Sequence, residues 1–325
     1  MSKLQPSLVA LAAAFITIVQ AAPAQALLSR TCVSAAKGND VNASNSCDCS
    51  TPCRSFQVAH DNTSDQGEVM VLDAGGYGAL TITKSISIAN DGAGEASMLV
   101  SGGGAGITVN ASNATGYVNL RGITIQGVSG GTSTGLRFNS GVVLTVSNCV
   151  IRNHTGNGIE FLSTASSQLS VSNTLISDNG GNGILLQPAV AGTVKAAFNR
   201  VESYNNSKAG FSANANVANL TIKAAAVESV AANNGGAGFA SSVLGSNTSN
   251  INFFVIRSVA SNNASGILSS TLILSTIWVG NSVITENTVG FDIPIGQGTI
   301  KSYGDNYLDG NGMDAPFGFT SATRR

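Results

Sequence analysis

Residues able to carry acid–base chemistry are few in this sequence, and the densest group of them centres on His154. The chain holds two histidines. His154 stands among charges of both signs: Arg152 two positions before it, Glu160 six after it, and Arg137 and Asp178 further out on either side. A histidine titrates near neutral pH, so a carboxylate that oriented its ring would let it abstract a proton from a sugar. On this reading His154, Glu160 and Asp178 are candidate catalytic residues, and Arg137 and Arg152 are candidate ligand-binding residues for an acidic group. The competing reading is structural. Arg137 and Glu160 then make a surface ion pair worth less than about 1 kcal/mol, and His154 stands in for an asparagine at a bend. The structural reading is preferred.

A repeat decides how these residues can meet. The stretch from Thr145 to Ile159 recurs 25 residues later from Ser170 to Ile184. Stepping from Asn148 gives a first column of Asn173, Asn199, Glu228, Arg257, Asn281 and Asp305. Six residues after each comes a second column: His154, Asn179, Asn205, Asn234, Asn263, Asn287 and Asn311. A third, apolar column runs Ile159, Ile184, Phe211, Phe239, Ile267 and Phe291, and extends upstream to Leu136, Ile107 and Leu80. The gap inside the unit is fixed while the copy-to-copy spacing wanders, the pattern of one coil of a solenoid.

The unit is too short for two helices. Its Val, Ile, Ser, Thr, Asn and Gly content favours strands over helix, and Asn, Asp and Gly tolerate the left-handed backbone of a tight bend. The predicted fold is therefore all-β, a right-handed parallel β-helix of about nine or ten coils, roughly 45 Å long at the spacing of paired strands. A stacked column of asparagines can hydrogen-bond amide to amide along such a rod.

Taken in order, residues 1–26 read as an export signal, with Lys3, an apolar stretch over residues 8–19, and the small-x-small site Ala24-Gln25-Ala26. Export, to the periplasm or outside the cell, makes disulfides among Cys32, Cys47, Cys49 and Cys53 the expected state. Three pairings are possible, and Cys47–Cys53 with Cys32–Cys49 is favoured. A metal site at these cysteines would lack the paired spacing of a zinc ribbon. Cys149 reads as an unpaired structural thiol. Thr51 and Pro52 can start a short helix whose Phe56 and Ala59 plug the first coil. The expected divisions are a signal peptide over 1–26, a disulfide-containing cap over 27–60, the β-helix over 61–313 and a tail over 314–325.

The entry segment reads V-S-x-x-x-G-N-D from Val33, T-P-C-R-S-F-Q-x-A from Thr51 and G-E-V-x-V-L-D-x-G-x-Y from Gly67, followed by N-x-G-x-G-I coils. In this it resembles exported bacterial right-handed β-helix proteins of the pectin-lyase-like superfamily. The resemblance covers about residues 31–313. It implies a polysaccharide lyase, epimerase or hydrolase, or a relative without catalysis, with sugar lying along the strand face that follows the asparagine column. The outward positions there are Arg137, Glu160, Leu185, Ser212, Ala240, Leu268 and Asp292. Catalysts of this fold need clustered carboxylates, whereas Glu160 and Asp292 lie five coils, or about 24 Å, apart.

Charged residues are 10% of the chain and the formal net charge is −1. No basic stripe points to nucleic acid, and no apolar span after the signal points to a membrane. No cofactor is implied. Calcium is not supported, because the segment from Asp305 to Gly312 follows the coil template and lacks the closing Glu of a calcium loop. The sequence reading is an exported structural or polysaccharide-binding module presenting an Asn/Ser/Thr-rich face to polysaccharide or cell-surface glycan. The alternative is a lyase, epimerase or hydrolase acting on acidic glycans.

Overall fold

Each coil is built from two bends that only a few residue types can make. The computed structural model describes residues 27–41, 47–128, 133–243, 248–270, 274–294 and 298–323; the expected signal over 1–26 lies outside them. In the coil around His154 a first strand, Val143–Ser147, turns at Asn148 into a second strand, Val150–Arg152. A second bend at Asn153 leads through a glycine loop to a third strand, Ile159–Phe161. Both bend residues have positive φ, 52° at Asn148 and 62° at Asn153. That backbone costs most side chains energy and is easiest for asparagine.

The coils stack as parallel strands in register. First and second strands form one 20-stranded sheet, and third strands form a nine-stranded sheet of their own. Nine strands bound about eight complete turns, slightly fewer than the nine or ten expected. The expected apolar column is one interior stack: Leu80, Ile107, Leu136, Ile159, Ile184, Phe211, Phe239, Ile267 and Phe291 pair coil to coil. All are buried. Each contributes roughly 1.5–3 kcal/mol by leaving water. Phe211 and Phe239 also stack ring on ring at 4.8 Å.

One coil is registered a residue away from expectation. Asn173 aligns with Arg200, because Ser172 pairs with Asn199 and Thr174 with Val201. The bend residue is thus Arg200, at φ 51°, and the asparagine that turns inward is Asn206 rather than Asn205. Asn205 instead occupies the second bend, at φ 53°.

The inward residue after most bends is polar, so the rod holds two buried ladders. Asn179, Asn206, Asn234, Asn263, Asn287 and Asn311 pass hydrogen bonds from amide to amide at 2.9–3.0 Å. After the first bend, the backbone N–H of each coil donates to a side-chain oxygen on the next: Val201 to Ser229, Ser229 to Ser258, Ser258 to Ser282, and Ser282 to Asn306. Buried amides and hydroxyls are tolerated only when paired in this way.

The ends are closed differently. At the start, Cys32–Cys49 and Cys47–Cys53 are disulfides. The plugging helix runs Phe56–Asn62 and is capped by Ser55. Thr51, the expected cap, instead bonds to Asp48. Phe56 and Ala59 are buried as expected, with Phe56 against the Tyr77 ring at 5.0 Å. At the far end the tail folds back: Phe319 meets Phe291 edge-on, and Thr320–Ser321 pairs with Lys301 and Ser302. Among the described residues no helix is long and apolar enough to cross a membrane.

Candidate functional site

Two exterior surfaces could meet a ligand: the groove face, made by the third strands, and the first-strand face. On the groove face the outward row reads Arg137, Glu160, Leu185, Ser212, Ala240, Leu268 and Asp292, in the expected register. Its middle is small and closely flanked. Leu185, Ser212 and Ala240 are at most 9% exposed although they point outward, and Ala240 packs with Ala209, Ala237 and Leu268. The carboxylates at its two ends are already hydrogen-bonded within the protein. Glu160 accepts from Arg137 at 2.8 Å and from Asn157 at 2.6 Å, and Asp292 accepts from Ser265 at 2.6 Å.

The other residues singled out in the sequence do not join Arg137 and Glu160. Arg152 lies on the second strand and donates to Gln126 at 3.2 Å. Asp178 is a bend residue at φ 58°, accepting from Asn205 at 3.1 Å. His154 points into the rod and is 2% exposed. Its Nε2 lies 3.2 Å from the carbonyl of Ile125, and its Nδ1 lies 3.3 Å from the Ser133 hydroxyl. A carbonyl only accepts, so Nε2 carries the proton and Nδ1 accepts from Ser133. Neither Glu160 nor Asp178 is a partner of the ring. Burial pushes the His154 pKa below its ordinary value, only partly offset by the bond to Ile125.

His154 does the work of a ladder asparagine. Asn206, Asn234, Asn263, Asn287 and Asn311 each also donate to a carbonyl on the preceding coil, those of Ile176, Ser203, Ala231, Ala260 and Ile284. Ile125 and Ile151 precede Ile176 in the same column. The histidine therefore reaches the matching oxygen with a ring nitrogen in place of an amide. Cys149 is a similar substitute in the hydroxyl ladder, its N–H donating to Thr174 at 3.3 Å. Burial raises its thiol to about 11, which disfavours the reactive thiolate at neutral pH.

A cleft on the first-strand face escaped the sequence reading. Its outward rows place Ala225, Phe254, Trp278 and Lys301 on successive coils, and beside them Ile256, Gly280 and Tyr303. Phe254 stacks on Trp278 at 5.7 Å and 10°, and the Tyr303 ring stands 6.1 Å from the indole. The Lys301 ammonium lies 4.4 Å from the centre of the indole, a cation–π contact. Around these residues lies a cleft of about 880 Å³, lined also by Arg257, Asn281 and Thr320. A Cβ at Gly280 would come within 2.9 Å of the Tyr303 ring. The signal was available in sequence only after alignment by coil, which puts Phe254, Trp278 and Lys301 in one outward row. Among the described residues no group of three His, Cys, Asp or Glu side chains could hold a metal ion.

No family model and no curated protein matches this chain. Solved structures do. Pectate lyase Pel9A superposes with a TM-score of 0.62 at 17% identity, covering 84% of this chain and 74% of its own. An alginate lyase from Paenibacillus sp. str. FPU-7 gives 0.53 at 13% identity over 87% of this chain and 97% of its own. The A-module of mannuronan C-5 epimerase AlgE4 from Azotobacter vinelandii gives 0.50 at 13% identity over 80% and 91%. The fold is the right-handed parallel β-helix of the pectin-lyase-like proteins. At these identities the likeness is one of fold.

Proposed function

We propose that the protein is an exported polysaccharide-binding β-helix whose groove face holds a glycan without cleaving it. Pectate lyase, alginate lyase and mannuronan epimerase, as their names state, act on polysaccharides, which supports a glycan as the partner. Two disulfides agree with export to an oxidising compartment. The observation that carries the binding reading is the state of Glu160. It is held by Arg137 and Asn157, and the next groove carboxylate, Asp292, is five coils away. Paired-carboxylate hydrolysis needs acids within about 10 Å. Proton abstraction needs a base that faces substrate, and His154 faces the core.

The test is a glycan array with the purified protein, read both for retained protein and for ultraviolet absorbance from unsaturated products. Binding without product is expected. Product from any uronate polymer would establish the lyase alternative instead. Loss of binding in Leu268→Lys, which places a long cation in the groove, would locate the contact.

A further inference from the structure

The first-strand face carries chemistry that the groove reading leaves unused. We infer that the cleft around Trp278 is a second binding site, for an anionic saccharide unit. Its volume of about 880 Å³ lies within the range of ligand sites, roughly 300–1,000 Å³. Phe254, Trp278 and Tyr303 supply aromatic surface for the apolar face of a sugar ring. Asn281, Thr320 and Ser321 supply polar edges for its hydroxyls.

Charge selects the anion. Among the described residues Arg257 and Lys301 line the cleft and no carboxylate does. The nearest acids are occupied. Glu228 is shared between Arg200 and Arg257 at 3.3 and 3.2 Å, so that trio keeps one net positive charge. Asp305 accepts from the Asn281 N–H at 2.9 Å. Lys301 has no carboxylate partner among the described residues and is held instead over the indole. Arg200, Arg257 and Lys301 set against Glu228 and Asp305 leave one net positive charge around the cleft, which favours an anionic ligand on a chain of formal net charge −1. Arg257 can meet a carboxylate or sulfate with directed N–H donors, and Lys301 as a point charge.

The indole adds a donor. Trp278 Nε1 is buried and has no hydrogen-bond partner among the described residues, a state that native proteins seldom leave uncompensated. A ligand oxygen that enters the wall of the cleft would find that N–H already stripped of water.

Trp278 is the one tryptophan in the chain, so its fluorescence reports on this cleft and not on the groove. The experiment titrates the whole protein with a galacturonate tetrasaccharide, a sulfated galactan tetrasaccharide and cellotetraose while following tryptophan emission. A saturable change is expected with an anionic probe, weakening as salt screens it, and none with cellotetraose; the two anionic arms separate carboxylate from sulfate. Lys301→Met and Arg257→Met should each weaken binding by about tenfold or more. Gly280→Leu fills the cleft and should abolish the emission change, while Leu268→Lys in the groove should leave it intact. The proposal is overturned by no saturable change with either anionic probe, by an equal response to cellotetraose, or by unchanged affinity in Lys301→Met. That surface variant keeps the test decisive even where Gly280→Leu fails to fold.

Discussion

The groove face and the first-strand face rest on the same kind of inward rows and differ in what stands outside them. Beneath both lie apolar stacks that repeat from coil to coil. Outside, the groove face carries small residues, the Arg137–Glu160 ion pair, and an Asp292 held by the Ser265 hydroxyl. The first-strand face carries stacked rings, a cleft, and a lysine with no carboxylate partner among the described residues. Inward positions are constrained by neighbours above, below and across the rod. Outward positions answer only to solvent or ligand, so they are where one β-helix can differ from another in function.

The sharpest way to break this contrast is to disturb an inward row. Ile184→Asp replaces an interior contact with a buried carboxylate and should cost about 5 kcal/mol or more. Circular dichroism melting would show the folded state lost or its midpoint sharply lowered. Asn234→Ala comes next. It removes the acceptor of the Asn206 backbone N–H and of one Asn206 amide bond, and the side-chain donor to the Ser203 carbonyl and the Asn263 oxygen. A loss of about 3 kcal/mol in denaturant unfolding is expected.

His154→Asn tests whether the histidine belongs to the inward set, and should change stability by less than about 1 kcal/mol at pH 8. Its pH dependence is more telling. Burial lowers the pKa of His154 in the folded protein, so below the ordinary value of 6.5 the unfolded chain takes up a proton that the folded chain refuses. Stability is present above pH 6.5 and is lost as pH falls through it. His60 is depressed for the same reason. The His154→Asn variant should therefore lose less stability than the parent between pH 7 and 5, but still lose some. The smallest effect belongs outside: Glu228→Gln, in an exposed trio with Arg200 and Arg257, should cost less than about 1 kcal/mol in the same measurement.

Legibility in the sequence follows the same division. The interior stack could be read because a ladder tolerates few residues, so its period survives changes in loop length. The single slip came where Asn199, Asn205 and Asn206 offered two registers for one coil, and only strand pairing chooses between them. The helix start shifted from Thr51 to Ser55 because Thr51 is engaged by Asp48, a local bond the capping pattern does not reveal. His154 stood out by type. What it touches depends on the fact that ring and amide can reach the same carbonyl. The Trp278 cleft stayed hidden because Ile277-Trp278-Val279 reads as a buried apolar run, although alternation along the strand turns its middle residue outward.

The asparagine ladder also has a direction. Every amide from Asn179 to Asn287 gives its N–H to the next coil toward the C-terminus and receives one from the coil before. Asn311, the last, gives its own to the Asp314 carboxylate at 2.9 Å. A carboxylate has oxygens to accept with and no hydrogen to hand on. A further coil stacked in the same register would find the relay finished, so the length of this rod is terminated chemically, by the replacement of an amide with an acid.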